Sequence, residues 1–148
     1  IMNKGLIGIF EGATRNQKTR MGVAAATQYY TTKGYVVCWP PPDTQTDWDM
    51  LAVSDDGMGD TIKVQVKTTG YIHPNHPSWI VGLKDGCGKG NSHGTGKVPF
   101  HFDELCILDG DGEVTVMKAS DILVKPDGTA RKHSIVVPRF PSKARLPL

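Results

Sequence analysis

The chain has 148 residues and a mass of 16.1 kDa, with 39% hydrophobic and 22% charged residues. That composition excludes a disordered or collagen-like polymer, and no apolar run approaches the roughly 20 residues of a membrane span. The length suits one domain over residues 1–148, with a core expected over about 14–122 and a basic tail over 123–148.

The formal net charge of +2 conceals a strong segmental pattern. Residues 43–60 carry six aspartates and no base, and 103–122 carry six acids and one lysine. Basic segments frame both: five Lys/Arg against one acid in 1–42, five against one in 61–102, and six against one in 123–148. An acidic centre in a basic frame suits a metal-dependent enzyme acting on a polyanion, with carboxylates for the cation and Lys/Arg for phosphates. Cys38, Cys87 and Cys106 cannot all pair and form no CxxC, so a reducing interior is the expected compartment. The first ten residues hold only a brief apolar stretch and no cleavage site of secretory type.

In chain order, Thr14 and Gln17 have capping-box spacing and Gly34 sits where a helix would end in a left-handed residue, which predicts a helix over 16–33. Its interior is small-sided at Gly22, Ala24, Ala25 and Ala26, allowing close approach to a sheet. Tyr35 to Trp39 reads as a short strand ended by Pro40, Pro41 and Pro42, and Trp48 to Val53 as a second, closed by the turn-forming Ser54-Asp55-Asp56-Gly57. Thr61 to Lys67 alternates strictly, with Ile62, Val64 and Val66 expected in the core and Lys63, Gln65 and Lys67 on a polar face open to chemistry.

Further on, Trp79 to Leu83 reads as a strand, and 82–96 as a glycine-rich loop. Leu105–Leu108 and Val114–Met117 flank the hairpin turn Asp109-Gly110-Asp111-Gly112. A helical turn at Ala119–Ile122, a last strand at Ile135–Val137 and a partly ordered tail complete the expectation. The fold class is α/β, a central mixed sheet flanked by helices.

The chemistry concentrates in Asp49 and the Gln65-Val66-Lys67 run. If their strands pair as a hairpin, a carboxylate, an amide oxygen and an ammonium meet at one point. Asp49, the Gln65 side chain and the Val66 carbonyl can supply three hard oxygens to Mg²⁺, and Lys67 can position or deprotonate an attacking water. Read on spacing alone, the same residues also describe an ordinary hairpin with a polar face.

The run from Lys18 to Thr69 resembles the PD-(D/E)XK nuclease superfamily, specifically the small branch that includes a group I intron homing endonuclease. The carrying residues are Met21-Gly22, Lys33-Gly34-Tyr35, the Pro40–Pro42 loop, Asp49 and Gln65-Val66-Lys67, with Phe102-Asp103-Glu104-Leu105 and its hairpin as closing strands. Archaeal-type Holliday junction resolvases are similar. The resemblance implies a restriction-endonuclease-like core and a Mg²⁺-dependent DNA endonuclease, with Mn²⁺ as a substitute. It also implies action in the cytoplasm of a prokaryotic or phage-infected cell. A double-strand cut would favour a symmetric dimer or larger assembly. The family's helix usually offers a Glu just after the position of Gly22, where this chain has Val23; Glu11, Asp43 and Asp47 are the candidate substitutes.

Lys84, Lys89, Lys97, Arg131, Lys132 and Arg139 are candidates to track a nucleic-acid backbone. The prolines in His73-Pro74-Asn75-His76-Pro77 disfavour a zinc site with Cys87 and His93. The Lys97 region lacks the leading glycine and the Ser/Thr of a nucleotide loop. Rival readings are a nucleic-acid-binding module without catalysis and a ribonuclease or toxin on the same fold.

Overall fold

The long N-terminal helix forms where its caps dictate. The computed structural model, which describes residues 6–42, 48–56, 58–75, 77–83, 102–122, 127 and 134–139, has helix α1 over Arg15–Thr32. Thr14 Oγ1 accepts the Gln17 N–H at 3.1 Å, and Gln17 Oε1 accepts the Thr14 N–H at 2.7 Å, so two orphan donors of the first turn are satisfied. Beyond the C-terminus Gly34 takes φ +91°, the left-handed conformation that a side chain would resist.

Among the described residues seven strands follow: β1 (Tyr35–Cys38), β2 (Met50–Ser54), β3 (Thr61–Thr69), β4 (Ser78–Gly82), β5 (Glu104–Asp109), β6 (Val114–Lys118) and β7 (Ser134–Pro138), with a short helix α2 (Ala119–Ile122) after β6. Five make the central sheet in the order β1-β2-β3-β5-β6. The β3–β5 pair is parallel and the other three are antiparallel, which is the mixed sheet the sequence predicts.

Side-chain alternation assigns the two faces of this sheet. Met50, Ala52, Val64 and Cys106 face α1 and pack with Ala26 and Tyr30. The helix lies close because Gly22 has no side chain: a Cβ there would stand 2.8 Å from Thr68 Cγ2 and 3.1 Å from Val66 Cγ1. Tyr30 Oη donates to Glu104 Oε1 at 2.7 Å, tying the C-terminal half of α1 to β5; burial first, and then this bond, hold the phenol far above its ordinary range. Cys106 below it is buried and its thiol is pushed up to about 12, so it is not a nucleophile near neutrality.

On the opposite face Leu105 and Ile107 pack with Trp79, Val81, Ile135 and Val137 of the antiparallel β4–β7 ribbon and with α2. This ribbon pairs segments more than fifty residues apart, and it corrects the expectation that the whole polar face of β3 is open: Gln65 and Thr69 are 5% and 3% exposed. Thr69 Oγ1 answers burial by donating to the Ile80 carbonyl at 2.5 Å.

Two further departures concern termini. A 3₁₀ turn at Gly8–Phe10, with Phe10 fully buried, stands where the sequence has no helix signal. Strand β2 begins at Met50, so Asp49 precedes it rather than opening it. No helix among the described residues is long and apolar enough to cross a membrane.

Candidate active site

The central feature is the place where β2 stops and β3 runs on. The ladder reaches Met50 opposite Val64, and the Asp49 N–H still donates to the Val64 carbonyl at 2.7 Å. There the backbone ladder ends and the Asp49 carboxylate takes over: Oδ2 accepts the Val66 N–H at 2.7 Å. A side chain thus makes the next rung. In an extended strand the N–H and C=O of a residue share an edge, so the Val66 carbonyl is directed past the end of β2 beside Asp49.

These groups line a cleft of about 450 Å³ whose walls include Asp49, Gln65, Val66, Lys67, Tyr71 and Ile80, closed on one side by the start of α1. The structure therefore brings together Asp49, Gln65, Val66 and Lys67, the four positions singled out from the sequence. Gln65 is buried yet borders the cleft, and among the described residues its side chain has no hydrogen-bond partner.

Asp49 is held above the ordinary carboxylate range. Burial is the main cause; the Val66 N–H and the Lys67 ammonium both act against it without cancelling it. The ionised form is therefore held in the cleft at a cost to folding.

The remaining candidates divide. Val23 does line the cleft, so the helix position that would carry an acid in the resembled family faces the site with an apolar side chain. Glu11 is exposed and is not among the lining residues. Asp43 and Asp47 lie outside the described residues, as do Lys84, Lys89, Lys97, Arg131 and Lys132, the 84–101 loop and the tail from 140. Arg139 is elsewhere: Nε and Nη2 donate to Asp111 Oδ2 and Oδ1 at 2.8 and 2.9 Å, and the guanidinium stacks on Trp79 with its centre 5.1 Å from the ring centroid. That bidentate, stacked arrangement pins β7 to the β5–β6 turn, well suited to a structural tie. His73 Nδ1 accepts the Asn75 N–H, and no three His, Cys, Asp or Glu side chains converge among the described residues.

Sequence reasoning passed over Arg15 and Lys18, which line the cleft from α1. The signal was available in the helical spacing. Lys18, Gly22, Ala26 and Tyr30 recur every four residues, so the stripe that buries the last three continues N-terminally into Lys18 and Arg15.

No protein-family model matches the chain, and no curated protein does. Among solved structures it is similar to a bacterial homing endonuclease, I-Ssp6803I, with a TM-score of 0.60 and 15% sequence identity over 86% of this chain and 77% of that one. The chain has a homing-endonuclease-like α/β fold.

Proposed function

We propose that the protein is a metal-dependent DNA endonuclease of the PD-(D/E)XK type, hydrolysing phosphodiester bonds at the Asp49–Gln65–Lys67 cleft. The observation that carries this reading is the Asp49 carboxylate fixed by the Val66 N–H at the open end of β2, next to Gln65 and Lys67. The fold likeness to a homing endonuclease supports the same chemistry, and the family's resolvases and repair nicking enzymes would use the same core.

The donors suit Mg²⁺, with Mn²⁺ as a substitute. Asp49, the Gln65 amide oxygen and the Val66 carbonyl are hard oxygens with one full negative charge, and Mg²⁺ is commonly held by one or two carboxylates together with water and substrate phosphates. When bound, the metal would supply Lewis acidity toward a phosphoryl oxygen and toward water. The Val66 N–H fixes one Asp49 oxygen and so orients the other. Lys67, close enough to lower the Asp49 pKa, supplies the cation that orients the attacking water and offsets charge growing at phosphorus. A symmetric dimer would place two such clefts on the two strands of a duplex, in a reducing cytoplasm that keeps the cysteines free.

The test is incubation of wild type and Lys67→Ala with supercoiled plasmid, a four-way junction, structured RNA and a random-site duplex library, each in EDTA, Mg²⁺ or Mn²⁺. Wild type cuts DNA only with metal, and Lys67→Ala loses about 10²–10³-fold of the rate while still binding. Preference for RNA would favour the ribonuclease reading. Binding without cutting on every substrate would favour the binding module, which the single carboxylate and Val23 motivate.

Val23→Glu gives a gain-of-function check. A second carboxylate on the cleft wall raises the charge count of the donor set, and Mn²⁺ binding measured by calorimetry should tighten about tenfold. Unchanged affinity would place the metal away from this wall.

A further inference from the structure

We propose that Arg15 and Lys18 are substrate-phosphate ligands of this cleft, holding the nucleic-acid backbone beside the scissile phosphate; this rests on the nuclease reading above. Three observations lead there. Both residues line the same cleft as Asp49, Gln65 and Lys67, so among the described residues its walls carry three cations against a single carboxylate. Neither Arg15 nor Lys18 forms an ion pair among the described residues, so their charge is not spent inside the protein.

The third observation is where they stand on the helix. Gly22, Ala26 and Tyr30 occupy the sheet-facing stripe of α1 and are buried. Four residues before Gly22, the stripe holds Lys18, and Arg15 lies one turn nearer the start. Arg15 is exposed and Lys18 half-buried where they line the cleft, so both keep their charged ends solvated while bordering it. They are also at the wrong end of the helix: the first turn carries no acid, and the macrodipole disfavours positive charge at an N-terminus. A residue choice that opposes helix stability, repeated at two positions facing one cavity, fits an anion brought in from outside, which both the side chains and the helix N-terminus would attract.

The measurement is the salt dependence of binding to a fluorescein-labelled DNA duplex in EDTA, by anisotropy, for wild type, Arg15→Gln/Lys18→Gln, Lys67→Ala and Lys33→Gln. Lys33 is the control, an exposed cation at the far end of α1 lying 5.0 Å from the Tyr29 ring centroid. Each lost phosphate contact lowers the slope of log affinity against log salt by about 0.9, so the double variant should lose about 1.8 and Lys33→Gln nothing. Its melting temperature should stay level or rise, because two charges opposed to the macrodipole are gone. An unchanged slope in the double variant, with wild-type binding intact, would overturn the assignment and leave the nuclease reading standing. A fall in melting temperature with the slope retained would make the pair structural, also against the proposal. If wild type binds and cuts no nucleic acid, the functional reading itself fails and takes this one with it.

Discussion

Asp49→Asn is expected to abolish cutting, by at least about 10³-fold, and yet to raise the melting temperature of the metal-free protein at neutral pH. The first effect follows from removing the only carboxylate among the described cleft residues. The second follows from linkage. Burial lifts the Asp49 pKa above its ordinary 3.8, outweighing the Val66 N–H and Lys67, so in the window between the unfolded and folded values the native state binds more protons than the unfolded chain. Wild-type stability therefore falls as pH rises through that window and remains lower above it. Asn keeps an oxygen to accept the Val66 N–H but carries no charge to desolvate, so its curve lacks that fall. The advantage of the variant should be full above the folded-state pKa of Asp49 and vanish as the pH drops below 3.8, where Asp49 is protonated in both states. Added Mg²⁺ should raise the melting temperature of wild type by binding the folded state alone and leave the Asn variant unmoved. Melting curves from acid to neutral pH, with and without Mg²⁺, decide the matter. A variant less stable than wild type at pH 7 would mean that Asp49 is retained for its contacts rather than for its charge.

The parts of this molecule legible in the sequence are those written in local chemistry. The Thr14–Gln17 box and Gly34 mark both ends of α1 because caps act within a few residues. The alternation in β3 and the Asp-Gly turn before β6 likewise predict register from neighbours in the chain. The candidate cleft was legible because Gln65 and Lys67 are two apart on one strand, Asp49 stands just before the strand paired with it, and the run from Lys18 to Thr69 resembles a nuclease family; spacing alone left an ordinary polar hairpin open. What stayed hidden depends on partners far away. Burial of Gln65 requires the β4–β7 ribbon, whose two strands offer no local sign of each other. Arg139 reads as a free cation until Asp111, 28 residues earlier, is found beside it. Arg15 and Lys18 look like an ordinary solvated helix start until the end of the sheet is known.

The N-terminal anchor is the extreme case, and it sets up the largest stability effect expected away from the site. Gly8 has φ +70°, and a Cβ there would stand 1.8 Å from the Gly110 carbonyl oxygen and 2.7 Å from its carbon. The obstacle is backbone, and that turn cannot easily yield: Asp109 Oδ1 accepts the Asp111 and Glu113 N–H groups at 2.8 and 3.1 Å. Gly8→Ala must then undock the segment, releasing Phe10 from full burial and breaking the Ile7–Gly70 and Ile9–Gly110 hydrogen bonds. Burial of a Phe is worth about 1.5–3 kcal/mol and each hydrogen bond about 0.5–1.5, so a loss of roughly 3 kcal/mol or more is expected. Gly12→Ala provides the comparison, because Gly12 has φ +76° with nothing within 4 Å of the added Cβ. It bears only the conformational strain, about 1 kcal/mol. Urea melts of the two variants separate strain from docking, and equal losses would show that the segment contributes nothing by its contacts. Leu6 and Phe10 also pack on Gly70, the residue before Tyr71 at the cleft wall. Undocking by Gly8→Ala should therefore lower nuclease activity as well, while Gly12→Ala leaves it near wild type.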